Sequence, residues 1–217
     1  DTVADILGTD TNTNFPNANV VMGTDGDDTI TGTSGSDLIA SFGGTDTVNA
    51  LAGNDKILGG SGVDTLNGGD DNDHLYGYAG ADTLNGNAGD DLIYGGKDND
   101  TIDGDAGDDS LYGEAGDDNI TSGAGNDTLD GGLGNDDIII DAAGNKTIDG
   151  SAGSDTLVIN YSGISNLSDF TVSASGDYTV LTDSNGNTIQ YKNIESLVVG
   201  SFTYINDTSS KSFYNAT

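Results

Sequence analysis

The sequence predicts an all-β chain: a solenoid of very short stacked strands, followed by a small antiparallel β cap. Three observations predict it. A nine-residue period runs without a gap from Gly23 to Ile139. Each period opens on a glycine-rich turn and closes on a single aliphatic residue with β-prone or polar neighbours. Beyond residue 158 the period stops, glycine and aspartate thin out, and Tyr, Phe and Val rise.

Taken in order, residues 1–22, rich in Asn and Thr, read as an N-terminal linker or cap. The chain opens on Asp1 rather than Met and reads as a processed product or an excised segment. Thirteen nonamers follow, from GTDGDDTIT at Gly23 through GGSGVDTLN at Gly59 to GGLGNDDII at Gly131. The sixth position is always Asp: Asp28, Asp37, Asp46, Asp55, Asp64, Asp73, Asp82, Asp91, Asp100, Asp109, Asp118, Asp127 and Asp136. The eighth is always aliphatic, as in Ile57, Leu66, Leu75 and Leu84. The fourth is Gly except at Asp71 and Asp98.

Each feature has a physical reading. The three residues around the aliphatic position form a strand, and only the middle one points inward. A strand that short cannot bury itself, so neighbouring repeats must stack into one continuous core. The six residues before it turn the chain. Glycine there supplies backbone angles closed to other residues and lets carbonyl oxygens converge on an ion. Aspartate adds charged oxygen ligands, which hard Ca²⁺ prefers at high coordination number.

The nonamer follows the calcium-binding pattern GGxGxDxUx. On this motif, over residues 23–158, the chain resembles the repeats-in-toxin (RTX) family of secreted bacterial proteins. The resemblance implies a parallel β-roll, a right-handed β-solenoid of about fifteen nonapeptide-type repeats, two to a coil. Repeats n and n+2 then stack. One column of carboxylates is Asp28, Asp46, Asp64, Asp82, Asp100, Asp118 and Asp136; the other is Asp37, Asp55, Asp73, Asp91, Asp109 and Asp127. Each Ca²⁺ is expected between successive coils, held by two such aspartates and by turn carbonyls such as those of Gly59, Gly62, Gly77, Gly80, Gly86, Gly95, Gly104 and Gly113. Thirteen repeats give up to eleven sites. Family members leave the cell by type I export and fold outside it.

Electrostatics make folding conditional on metal. Rungs lie about 4.8 Å apart. Two carboxylates at that distance repel by roughly 3 kcal/mol at an effective dielectric near 20. The roll is expected to be disordered without Ca²⁺ and to fold with it.

After Ile139 the frame slips. IDAAGNKTID has ten residues and places Lys146 where Asp should stand. Two readings apply: an ammonium replacing the metal's charge, or decay of a terminal repeat. GSAGSDTLV restores the motif, with Asp155 facing Asp136 across a further, weaker site. In 159–217, FTVSAS, DYTVLT, NTIQY and SLVVG read as strands of a capping segment, with a hairpin turn at SNGN. Such a cap covers the open end of a roll. The segment resembles the post-roll stretches of large RTX proteins, with their NIE-containing strand. Asp183, Asn185 and Asn187 are spaced like calcium-loop ligands, but an EF-hand's glycine and final glutamate are out of register, so a turn is expected.

Composition excludes several functions. There are 37 acidic residues against 5 basic, a net charge of −32, which disfavours nucleic acid and anionic membrane surfaces. With no Cys there are no disulfides, zinc–thiolate sites or cysteine nucleophiles. No apolar run is long enough for membrane insertion. A serine triad would need His74, the only histidine, which sits outward on a strand. Positions seven and nine should face solvent. On one side they form a Thr-x-Asn ladder (Thr65/Asn67, Thr83/Asn85), and on the other a stripe of Leu58, Tyr76, Tyr94 and Tyr112. The ladder reads as a soluble strand surface or a hydroxyl lattice for ice. The stripe reads as aromatic stacking or as a contact face for self-association, other surface proteins or glycans.

The expectation is therefore a non-enzymatic, calcium-binding structural module of a secreted bacterial surface protein, of surface-layer or adhesin type. The alternatives are the C-terminal secretion and folding module of an exoenzyme or toxin, and an ice- or glycan-binding module.

Overall fold

The computed structural model describes residues 18–207 and 212–215. The part of the expected N-terminal linker or cap that falls on residues 1–17 lies outside the described residues.

The chain winds between two parallel sheets, each stacked on itself at an offset of one coil. The first sheet contains Asn19–Met22, Asp37–Gly43, Lys56–Ser61, His74–Ala79, Leu92–Lys97, Ser110–Ala115, Thr128–Leu133 and Lys146–Ala152. The second contains Thr29–Thr31, Thr47–Ala52, Thr65–Asp70, Thr83–Ala88, Thr101–Asp103, Asn119–Thr121, Asp137–Ile140 and Thr156–Ile159. Register is set by the repeat: Ile57 lies opposite Leu75, and Leu66 opposite Leu84. The eighth-position aliphatics from Ile39 to Ile138 are at most 1% exposed and form a single core column between the sheets. Each full burial is worth roughly 1.5–3 kcal/mol, and each repeat of nine supplies only one. The apolar core is thin.

The strands are longer than the expected three residues. Eight of these sixteen run for six, as in Lys56–Ser61, because the backbone stays paired into the first three positions of the next repeat. Leu58 pairs with Tyr76 and Gly60 with Tyr78, while Gly59 and Gly77 drop out of the ladder. The first position turns inward instead. A Cβ on Gly59 would lie 2.9 Å from Asp64 Oδ2 and 3.0 Å from the Gly77 carbonyl oxygen.

From the third nonamer to the thirteenth, the second and fourth positions, Gly116 apart, have a different requirement, a left-handed backbone. The second accepts side chains at some strain, since Phe42, Leu51, Tyr78 and Glu114 sit there at φ between 73° and 86°. The fourth admits Asp71 and Asp98 at φ 77° and 72° and is otherwise glycine. Gly80 has φ +137°, and a Cβ would strike the Gly62 carbonyl one coil earlier. Gly80→Ala should therefore lower stability in calcium by more than about 1 kcal/mol. At Gly35 a Cβ meets nothing within 4 Å, and Gly35→Ala should leave the melting temperature unchanged. Thermal denaturation of the two variants in calcium checks this.

Both ends of the roll extend past the motif. Asn19–Met22 pairs with the next strand, placing Asn19 opposite Asp37 and Val21 opposite Ile39. At the other end, parallel stacking continues beyond residue 158. Thr188–Lys192 lies on Lys146–Ala152, and Ser196–Val199 on Thr156–Ile159. Two of the strands expected for the cap, NTIQY and SLVVG, are thus the ones that continue the parallel stack, while the expected Thr171–Ser175 and Tyr178–Thr182 finish the first sheet antiparallel; Phe202–Asp207 and Ser212–Asn215, which the sequence reading did not single out, finish the second. SNGN is the hairpin turn. Asp183 Oδ1 accepts the backbone N–H groups of Asn185 (2.8 Å) and Asn187 (2.9 Å), and Oδ2 accepts Asn187 Nδ2 (2.8 Å) and the Tyr161 hydroxyl (3.2 Å). Its oxygens are used by its own loop and the neighbouring Tyr161, which makes this an Asx-type turn.

Candidate metal centre

The sixth-position aspartates are where the two strand periods meet the turns, and the coil brings them into register eighteen residues apart. Each donates its backbone N–H to Oδ1 of the aspartate one coil later. Asp64 gives to Asp82 at 2.8 Å, Asp82 to Asp100 at 2.8 Å, and Asp73 to Asp91 at 2.7 Å. This produces the two expected columns. The long one runs Asp28, Asp46, Asp64, Asp82, Asp100, Asp118, Asp136 and Asp155. The short one runs Asp37, Asp55, Asp73, Asp91, Asp109 and Asp127. All but Asp28 are buried.

The second carboxylate oxygen tells more. Among the described residues, Oδ2 of Asp46, Asp55, Asp64, Asp73, Asp82, Asp91, Asp100, Asp109, Asp118, Asp136 and Asp155 is buried with no hydrogen-bond partner. Such an atom costs about 1–3 kcal/mol when neutral and more when charged. Nine of them, all but Asp46 and Asp55, border the space left by the missing Cβ of a first-position glycine; Ser41 and Ala50 hold that position in the other two repeats. At Gly95 that space is bounded by Asp100 Oδ2 at 2.5 Å and the Gly113 carbonyl at 3.0 Å; at Gly104, by Asp109 Oδ2 at 2.6 Å and the Ser122 carbonyl at 2.9 Å. A carboxylate oxygen and a backbone carbonyl facing one small gap make a donor set that suits a hard cation. No three His, Asp or Glu side chains converge among the described residues. A site here draws on backbone oxygens as much as on side chains.

Burial pushes these carboxyls up. Asp73 and Asp100 rise to about 8, and Asp55, Asp82, Asp91 and Asp109 to about 7. Asp118 and Asp155 rise to about 6. The first cause in each case is loss of water. The N–H from the previous coil pulls each value partly back, while neighbouring acidic groups, mostly within the column, raise it again. Asp108, on the outer side of the turns, behaves oppositely. It is exposed, receives the backbone and side-chain N–H groups of Asn126, and is held below the usual carboxylate range. Asp127 apart, the inner columns lack charge compensation.

The column ends differ from their middles. Thr24 N–H (2.6 Å) and hydroxyl (3.0 Å) fill Asp28 Oδ2, and Thr33 N–H (2.6 Å) and hydroxyl (3.1 Å) fill Asp37 Oδ2. Asn19 Nδ2 donates to Asp37 Oδ1 at 3.0 Å. At the far end the long column continues to Glu195, whose Oε2 accepts the Asp155 N–H at 2.8 Å. The short column ends on Lys146, whose ammonium contacts Asp127 Oδ2 and the carbonyls of Gly123 (2.8 Å) and Gly125 (2.9 Å). Those acceptors occupy positions six, two and four of one turn. Position four is the class expected for Gly62 and Gly80. Gly59, Gly77, Gly86, Gly95, Gly104 and Gly113 hold position one, and the carbonyls of Gly77, Gly86, Gly95, Gly104 and Gly113 each border a gap in the coil before.

The sequence reasoning missed the second-position carbonyls, Asn19 and Glu195. Both residues carry a legible signal, because Asn19-x-Val21 and Glu195-x-Leu197 repeat the offset of Asp155-x-Leu157.

The outward stripe requires a correction. Leu58 is 8% exposed and does not belong to a contact face. It is covered from the next rung, where Tyr76 lies in register with it. Tyr76, Tyr94 and Tyr112 stack on one another, with ring centroids 5.3 and 4.8 Å apart and planes within 9° and 11°. The Lys56 ammonium lies 5.3 Å above the Tyr76 ring. This is the aromatic ladder of the stacking reading. His74 is half-buried on its strand.

Comparison with curated proteins finds no match to the chain. Among solved structures, one similar chain is the AlgE6R3 subunit of the Azotobacter vinelandii mannuronan C5-epimerase, solved in solution. It is 24% identical, the alignment covers 78% of this chain and 72% of that one, and the TM-score is 0.18. The profile of the RTX calcium-binding nonapeptide repeat, in four copies, matches residues 16–41, 22–57, 41–75, 76–111, 103–138 and 136–158. With its motif, its stacked coils and its paired carboxylate columns in place, the chain belongs to the RTX calcium-binding nonapeptide repeat family.

Proposed function

We propose that the chain is a calcium-dependent structural module of a secreted bacterial surface protein, of surface-layer or adhesin type, with no catalytic role of its own. The observation that supports it is the pair of columns of buried, unpartnered Oδ2 atoms. In this reading each ion is held by the Oδ2 of one aspartate, by carbonyls of its turn and by the aspartate one coil on. Calcium supplies the positive charge that the interior lacks, and binding energy becomes folding energy. Extracellular modules of modest affinity, with Kd of about 10⁻⁴–10⁻³ M, fill outside the cell and stay empty in the cytosol. The chain would then cross the envelope unfolded. Among the described residues no helix is long and apolar enough to cross a membrane.

Size exclusion with light scattering, in millimolar calcium and in chelator, tests this. The surface-layer reading predicts growth into dimers or larger assemblies in calcium. A compact monomer in calcium at all concentrations would overturn it in favour of the folding and secretion module of an exoenzyme or toxin.

A further inference from the structure

Lys146 is 1% exposed, yet it carries an ammonium group into the interior of a chain whose net charge is −32. It replaces the aspartate of the sixth position one coil after Asp127, and its strand stays in register: Ile148 still lies opposite Leu129. Its three acceptors are the Gly123 carbonyl, the Gly125 carbonyl and Asp127 Oδ2. One coil earlier the matching positions are Asp105, Gly107 and Asp109, and there Asp109 Oδ2 has no partner. Asp127 Oδ2 is the short-column oxygen at that end that does have one. The side chain therefore stands where a cation is missing elsewhere in the column. A decayed repeat would give no reason for the ammonium to reach both turn carbonyls and the carboxylate together. Burying a lone lysine is costly, and it persists only when paired and hydrogen-bonded.

We propose that Lys146 is a resident cation plug. It fills the metal position of the last rung of the short column, so that this column takes metal at Asp55, Asp73, Asp91 and Asp109 and no further, while the long column runs on to Glu195. The proposal rests on the calcium reading above and makes the two columns inequivalent.

The test uses the full chain and two readouts: calcium stoichiometry by calorimetry, and the calcium midpoint of folding by circular dichroism. Lys146→Asp restores the motif and should bind one more ion per chain than the parent. Lys146→Met keeps the volume and removes the charge. Its stoichiometry should match the parent, while its midpoint rises about twofold, because the cost of a stranded buried carboxylate is shared over roughly ten ions. Adding Asp127→Asn to Lys146→Met should return the midpoint toward the parent. A folded Lys146→Asp with parental stoichiometry would overturn the plug, as would an unchanged midpoint for Lys146→Met. If Lys146→Asp fails to fold, the Met and double variants carry the test. If the parent bound no calcium, the calcium reading would fall on its own. The plug would then be judged by thermal midpoints, lowered in Lys146→Met and restored in the double variant if it stands, unchanged if it does not.

Discussion

In chelator at pH 7.5 the chain should lose its β-sheet circular dichroism and expand, with a radius of gyration near the unfolded value of about 50 Å; in millimolar calcium it should contract to roughly 20 Å. The cause lies in the columns. Eleven buried Oδ2 atoms lack a donor, and adjacent rungs carry like charges about 4.8 Å apart, which repel by roughly 3 kcal/mol per pair at an effective dielectric near 20. Net stability of a domain is only about 5–15 kcal/mol, so a few such pairs exceed it. The pH dependence has a definite sign. In the metal-free fold these carboxyls are raised, Asp73 and Asp100 to about 8, from an ordinary value near 3.8. The folded state thus binds more protons than the unfolded state between about pH 4 and pH 8, and its stability falls as pH rises through that window. Lowering the chelated sample to about pH 5 should therefore restore part of the β signal without calcium. Scattering and circular dichroism across that range check both statements. A compact, β-rich chain in chelator at pH 7.5 would contradict them.

Asp82→Ala should be among the most damaging single changes in the roll. The side chain serves two coils. Its Oδ1 accepts the buried Asp64 N–H at 2.8 Å, and its Oδ2 faces its own gap. Removing it strands that N–H, at about 1–3 kcal/mol, and takes a ligand from two adjacent metal positions. In calcium the loss should exceed about 3 kcal/mol once the weakened sites are included. Asp137→Ala is the control. Asp137 neighbours column member Asp136 but is exposed at an outward strand position, so the change should stay within about 0.5 kcal/mol. Calorimetric melting of both variants, with calcium titrations alongside, separates them. Equal damage from the two would mean that the columns are misplaced.

The middle of the roll was legible because its constraint is local and repeated. A nine-residue period with one aspartate and one aliphatic residue per turn leaves few ways to stack, and an offset of eighteen places Asp82 against Asp100 as expected. The ends were less legible because each is made once. Glu195 closes the long column only after an excursion of hairpins between Ile159 and Thr188 has returned the chain to the stack, and no period announces that return. Lys146 was visible as a break in the pattern, but its role depends on where a four-carbon side chain reaches, which spacing does not show. Strand length was misjudged because a left-handed second position such as Tyr78 does not interrupt pairing. The burial of Leu58 depends on the large ring in register with it on the next rung, a packing effect rather than a pattern.

The most direct measurement is anomalous diffraction from crystals grown in calcium, or in a lanthanide substitute. The account predicts two rows of peaks inside the roll, spaced by about 4.8 Å, beside the unpartnered Oδ2 atoms and absent beside Asp127, where Lys146 stands. Peaks confined to the outer row at Asp90, Asp108 and Asp117, with the inner columns empty, would contradict it.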